Sequence, residues 1–251
     1  MRRLVVVFFV LAYLAALFIL APASMLDELV RHYSQDRLVM ANASGTIWKG
    51  TAIPALRTPD GHLITTRPLR WDVDFLSLLG GKIQARLQWE DLPPAFATGV
   101  LFSGGQAELS HALIPLPARL LNEVSPILKP AEFRGQLAIQ SDHLVFSTRG
   151  MEGGAIVDWQ HAGSALSSID PLGNYRLSLI GADNIVSIDL STPSGMLVLD
   201  GKGRWSASGG LEFQGQAHAS SGNQERLNEL LHHLGPEQSP GVFTFSLTSK
   251  Q

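Results

Sequence analysis

The chain has 251 residues, 45% hydrophobic and 16% charged, which is enough apolar material for a sizeable buried core and is not the composition of a disordered protein. Lys and Arg number 19 against 22 Asp and Glu, so there is no basic excess to hold a polyanion by counterion release, and nucleic acid is not an expected partner. The lack of cysteine excludes disulfides, thiolate metal sites, iron–sulfur clusters and a cysteine nucleophile.

Met1-Arg2-Arg3 precede an uncharged apolar run, residues 4–21, that as a helix would extend about 27 Å. It is apolar on every side, and the two arginines occupy a positive-inside flank. Ala21-Pro22-Ala23 has the form of a signal-peptide cleavage end, but the run exceeds the roughly 7–15 residues of a signal core. The expectation is a retained anchor: residues 1–23 form a cytoplasmic N-terminus and one transmembrane helix, and residues 24–251 form a single exported domain.

Ser24-Met25-Leu26-Asp27 has the Ser-x-x-Asp form of a helix start, and Leu26, Leu29, Val30 and Tyr33 then fall on one helical face. From there the period becomes two. In Lys82-Ile83-Gln84-Ala85-Arg86-Leu87-Gln88-Trp89 every odd position is apolar and every even one polar, and the alternation returns at 133–139, 186–190, 211–218 and 242–247. With turn dipeptides at Asp60-Gly61 and Asp200-Gly201, the pattern predicts a mainly β fold, an antiparallel meander or sandwich-like sheet of about a dozen strands. Two short helices are expected within it. One spans 117–124, with Leu120, Leu121 and Val124 on one side; the other follows a Ser221-x-x-Gln224 capping box, carries Leu227, Leu230, Leu231 and Leu234, and stops at Gly235-Pro236.

A search for chemistry finds little. There is no Gly-x-Ser-x-Gly and no Ser-x-x-Lys, and the glycines of 195–203 lack phosphate-loop spacing. His232-His233 is the sole histidine pair, but adjacent helical residues point about 100° apart, so a solvated helix end is the simpler reading. Asp72 and Asp74 share one face of a strand with no second element to make them an acid–base pair. Gly45-Thr46-Ile47-Trp48-Lys49-Gly50 stands out as a strand in which Trp48 would fill the space above two glycines, a core-packing role.

These fragments, taken in order, resemble one family. Gly45-Thr46-Ile47-Trp48-Lys49-Gly50 is followed by Leu69-Arg70-Trp71 leading into Leu76-Ser77-Leu78-Leu79-Gly80-Gly81, then by Pro171-Leu172-Gly173-Asn174-Tyr175. Next come Gly195-Met196-Leu197-Val198-Leu199-Asp200-Gly201-Lys202-Gly203-Arg204-Trp205, Phe213-Gln214-Gly215-Gln216-Ala217 and Leu230-Leu231-His232-His233-Leu234-Gly235. The chain resembles the type II secretion system protein N family, also called general secretion pathway protein N. The resemblance implies a single-pass inner-membrane protein of double-membraned bacteria, with a periplasmic domain that contacts other secretion components. It implies no catalytic residue and no cofactor, and gives Gly45, Trp48, Gly50, Trp71, Gly201, Gly203, Trp205 and Gly215 a structural role. The alternative is a lipid-handling protein whose sheet carries an apolar groove; a continuous open groove in the structure favours it, and a closed core favours the interaction protein.

Overall fold

The computed structural model describes residues 2–123, 126–148 and 150–249, and its contacts divide the chain into two compact units, Met1–Ala97 and Thr98–Gln251. The boundary follows Pro93-Pro94-Ala95-Phe96, too short a stretch to read as a linker.

The first unit begins with α1 (Arg2–Ile19), all of whose described side chains are exposed. No helix among the described residues is long and apolar enough to cross a membrane. In α1, two of the 18 residues are arginines and the helix ends at Ile19, so Leu20 and Ala21 of the apolar run lie outside it. α2 (Ser24–Tyr33) follows; its N-cap is Ala23 rather than Ser24. Asp27 does not close a capping box: its carboxylate accepts from the Met40 amide at 2.7 Å and pairs with Arg31 at 2.9 Å.

Five strands complete this unit: β1 (Leu38–Gly45), β2 (Lys49–Arg57), β3 (Leu63–Thr65), β4 (Leu69–Asp74) and β5 (Lys82–Trp89). β2 pairs antiparallel with β1, β3 and β4, and β4 pairs with β5. Period-two alternation turns Leu69, Trp71 and Val73 to one face beside Ala52, Leu87 and Trp89. Ala23 and Leu26 close over that face, and with Ala52, Trp71, Met40, Val73 and Leu87 they form the core of the unit.

The second unit is an open antiparallel meander. Its strands are β6 (Thr98–Ser103), β7 (Gln106–Pro117), β8 (Arg134–Ser147), β9 (Gly150–Gly163), β10 (Gly173–Ala182), β11 (Ile185–Gly195), β12 (Leu197–Ser206), β13 (Gly210–Ala219), β14 (Glu237–Ser239) and β15 (Val242–Ser249). Each bonds to its sequence neighbour from β6 to β13, and the ladder ends in the order β13, β15, β14. The sheet-on-sheet alternative is not formed. Asp60-Gly61 does turn the chain between β2 and β3, but Asp200-Gly201 lies inside β12, where Gly201 gives room to the Phe213 ring.

The two inner helices also depart from expectation. Pro117 ends β7, and a 3-10 turn, Ala118–Glu123, replaces the α-helix; Val124 lies outside the described residues. α3 (Gln224–Leu234) starts after Asn223, three residues past Ser221, without a side-chain cap. Its stripe is as the spacing requires: Leu227, Leu230 and Leu231 are buried against Leu197, Ala217 and Phe243, with Ile169 and Leu172 closing the cluster.

Candidate functional site

The Gly45–Gly50 motif is a hairpin tip and not a strand interior. β1 ends at Gly45 and β2 begins at Lys49, leaving Thr46, Ile47 and Trp48 as the turn. The Thr46 hydroxyl accepts from the amides of Trp48 (3.3 Å) and Lys49 (3.1 Å) and so fixes the turn. The tip is stitched to the α1–α2 connection, since the Ile47 amide donates to Ala21 O at 2.9 Å and the Ala23 amide to Gly45 O at 3.0 Å. The ring that needs Gly50 is Trp71, because a Cβ at Gly50 would collide with Trp71 Cζ2. Trp71 is 3% exposed, and its indole N–H is shared between Thr46 O and Ile47 O, both at 3.2 Å.

Trp48, expected above the glycines, points elsewhere and is half-buried. Its indole N–H donates to Phe18 O at 2.9 Å, and its ring meets Phe18 (4.8 Å) and Phe75 (5.9 Å) edge-on. Phe18 and Phe75 are themselves 6.4 Å apart. Sequence reasoning singled out neither phenylalanine. An aromatic at the end of an apolar helix was the available signal, since such rings gather where an apolar element meets polar surroundings.

In the second unit the register sorts the sheet into two chemically different faces. One row crosses it through Ile114, Ile139, Val157, Leu177, Leu190, Gly201, Gly215 and Phe245; a neighbouring row runs through Ala155, Leu179, Ile188, Gly203, Phe213 and Leu247. Trp205 stands on the same face between Val186 and Leu211. Neither row contains a charge. The opposite face carries the ion pairs, Arg176 with Asp158 (2.7 Å), Arg204 with Glu212 (2.8 Å) and Lys202 with Asp189 (3.4 Å). Hydrogen bonding to Asp158 raises the Arg176 pKa further.

The glycines on the apolar face make room for rings. A Cβ at Gly201 would lie 2.6 Å from Phe213 Cζ, and one at Gly215 would lie 2.5 Å from Phe245 Cζ, while Phe213 and Phe245 stack 6.1 Å apart. The sheet is also bent. β9 approaches β11, and β10 approaches β12, to within 8 Å between Cα atoms, whereas flat strands two apart lie about 9.5 Å apart. Leu144, Ala155 and Val186, on the apolar face, are buried. Ile180 and Ile185, on the other face, are exposed.

The titratable candidates are engaged locally. Asp72 pairs with Lys49 at 2.9 Å on the surface, and the Asp74 carboxylate caps the 3-10 turn Phe75–Gly80 by accepting from the Leu76 amide at 3.0 Å. His232 and His233 each turn Nδ1 back onto their own helix, 2.7 Å from Asn228 O and Glu229 O. Among the described residues, no three His, Cys, Asp or Glu gather where they could hold a metal ion. Tyr175 is buried, which pushes its phenol pKa well above the usual tyrosine range, and its hydroxyl donates to Leu197 O at 3.1 Å. What these surfaces offer chemically is binding: an aromatic and aliphatic cluster at the end of α1, and a charge-free apolar face in the second unit.

No solved structure matches the chain. A curated relative, the type II secretion system protein N of Klebsiella pneumoniae, is 27% identical over 239 residues, covering 91% of this chain and 88% of the relative. The family model for protein N of the type II secretion system matches residues 36–246, which covers part of each unit, leaving out α1 and α2, and includes every glycine and tryptophan of the motif set. The chain therefore belongs to the type II secretion system protein N family.

Proposed function

We propose that this chain is an accessory, non-enzymatic inner-membrane component of the type II secretion system. It is anchored by residues 1–23 with its N-terminus in the cytoplasm, and residues 24–251 act in the periplasm by protein–protein interaction in the export of folded proteins. Family membership supports the secretion role. The observation that carries the anchoring is α1, whose described apolar side chains are all exposed; water is a poor solvent for such a surface, and hydrocarbon a good one. Its apolar part is short, but a short span is tolerated by local thinning of the bilayer and by arginines reaching back to the interface. Inner membrane and other secretion components are thus the partners; nucleic acid, cofactor and catalytic residue have no part in it.

The bent apolar face of the second unit favours a second reading, in which the sheet holds a lipid acyl chain. One experiment separates the two. A photo-reactive amino acid is placed in the cell at Ser187, exposed on the polar face, and at Leu179, on the apolar face. The interaction reading expects secretion-system proteins captured from Ser187. Lipid captured from Leu179, together with normal secretion when the gene is deleted, would establish the lipid reading instead.

A further inference from the structure

The exposed apolar surface of the first unit does not end with α1. α2 buries none of its residues and holds Met25, Leu29 and Tyr33 open at i, i+4 and i+8, Tyr33 at 81% exposure. Asp27 and Arg31, which pair with each other, lie about 160° around the helix from Leu29. The 3-10 turn Phe75–Gly80 presents Leu76 at 64% and Leu79 at 84% exposure. These leucines stand on a fixed frame. Besides the Asp74 cap, the Ser77 hydroxyl donates to Asp74 O at 2.6 Å and accepts from the Gln84 amide at 3.1 Å.

Both elements meet the last turns of α1. Tyr13, Ala16, Leu17 and Leu20, at helical spacing, line a groove of 830 Å³ with Met25 and Leu29 of α2. On the other side of the connection, the Phe18 ring meets Trp48 and Phe75, the first residue of the 3-10 turn.

We propose that the open stripe of α2 and the Leu76–Leu79 turn form a collar that sinks into the headgroup–acyl boundary of the bilayer that α1 enters; this rests on the anchor reading above. Length supports it. The sixteen residues of α1 beyond its arginines rise about 24 Å, some 6 Å short of a hydrocarbon core of roughly 30 Å. Interfacial elements bury apolar side chains about 5–10 Å deep, so the collar supplies the missing layer at the end of α1 away from the arginines. Chemistry supports it as well. Tyr33 and Trp48 are the amphipathic rings that favour this depth. The Trp48 N–H donates to Phe18 O at 2.9 Å, strengthening the satisfaction of a carbonyl in the final helical turn that otherwise accepts only a long 3.5 Å bond from the Ala21 amide.

The native chain has no cysteine, so any introduced cysteine is its single thiol. Leu29→Cys, Leu79→Cys, Leu11→Cys and Ser187→Cys are each labelled with an environment-sensitive fluorophore, and the full chain is placed in phosphatidylethanolamine–phosphatidylglycerol vesicles. Phospholipids spin-labelled near the carbonyl should remove most of the fluorescence at positions 29 and 79, spin labels deep in the acyl chain should quench position 11, and position 187 should be unaffected. Positions 29 and 79 as bright as 187, with 11 quenched, would overturn the collar and leave the anchor standing. A shielded probe at 29 or 79 that no lipid quencher reaches would put protein there and overturn the collar equally. Silence at position 11 as well would overturn the anchor reading and the collar with it.

Discussion

Trp71→Ala and Trp48→Ala should differ, and in the opposite sense to the one the motif suggests. A buried tryptophan removes about 150–250 Å² from water, worth roughly 4–6 kcal/mol as an upper bound at about 25 cal/mol per Å². Trp71 is 3% exposed and its N–H is satisfied by two carbonyls, so truncation should cost the first unit about 4 kcal/mol, inside the roughly 3–5 kcal/mol range for such changes. Trp48 is less completely buried than Trp71 and should cost less, about 2–3 kcal/mol. Trp71→Phe keeps most of the ring and loses the shared hydrogen bond, a loss of about 1–2 kcal/mol. The assay is urea unfolding of the full chain in mild detergent, followed by hydrogen exchange of β1–β5 peptides. With a slope near 2 kcal/mol per molar, Trp71→Ala should lower the midpoint of those peptides by about 2 M, and Trp48→Ala by about 1–1.5 M. A Trp71→Ala midpoint equal to wild type, with a large shift in Trp48→Ala, would refute the assignment of Trp71 as the packed ring.

Three further outcomes are expected. Burial raises the Tyr175 pKa, so the folded state favours the neutral phenol: its contribution should be complete below about pH 10 and decline above it, as the unfolded chain deprotonates first. Comparing alkaline stability curves with Tyr175→Phe should show a shallower fall in the variant and a cost of about 1 kcal/mol at neutral pH for the lost bond to Leu197 O. Gly201→Leu forces the Phe213 ring aside and should lower the second unit's stability by about 1–3 kcal/mol in the same urea assay, whereas an unchanged midpoint would mean the ring moves freely. Alanine at Asp72, Asp74, His232 or His233 should leave secretion of a native cargo intact, and a stably folded variant that abolishes it would count against a purely binding role.

The strands were legible wherever one face is buried and the other polar. β5 matches its alternating run at both ends, and β13 and β15 extend theirs by a residue or two. β8 runs to Ser147 and β9 is long because cross-strand hydrogen bonds carry the ladder through glycine and serine, which have no side-chain period to read. The same limit explains Asp200-Gly201: a glycine that admits a ring from the neighbouring strand looks, in one sequence, like a glycine that turns the chain. The start of α2 is legible to within a residue, but its capping box does not form because Asp27 has a better partner in the Met40 amide, 13 residues away, and local capping rules do not see such contacts. At the motif, only Gly50 makes room for a tryptophan, and the ring is Trp71 from β4 in place of Trp48; Gly45 instead lies against the Lys49 carbonyl with a positive φ, and a single sequence carries no record of which ring crosses from which strand.

Tethering at the inner membrane raises the effective concentration of a binding protein beside its partners, so location should matter as much as surface. The deciding measurement compares, in a strain lacking the gene, secretion restored by the full chain with secretion restored by residues 24–251 released into the periplasm, both at native abundance. The anchored chain should restore export of a folded cargo and the released domain should do so poorly. Equal restoration by the two forms, or undiminished secretion in the deletion strain itself, would contradict an anchored accessory component of the secretion system.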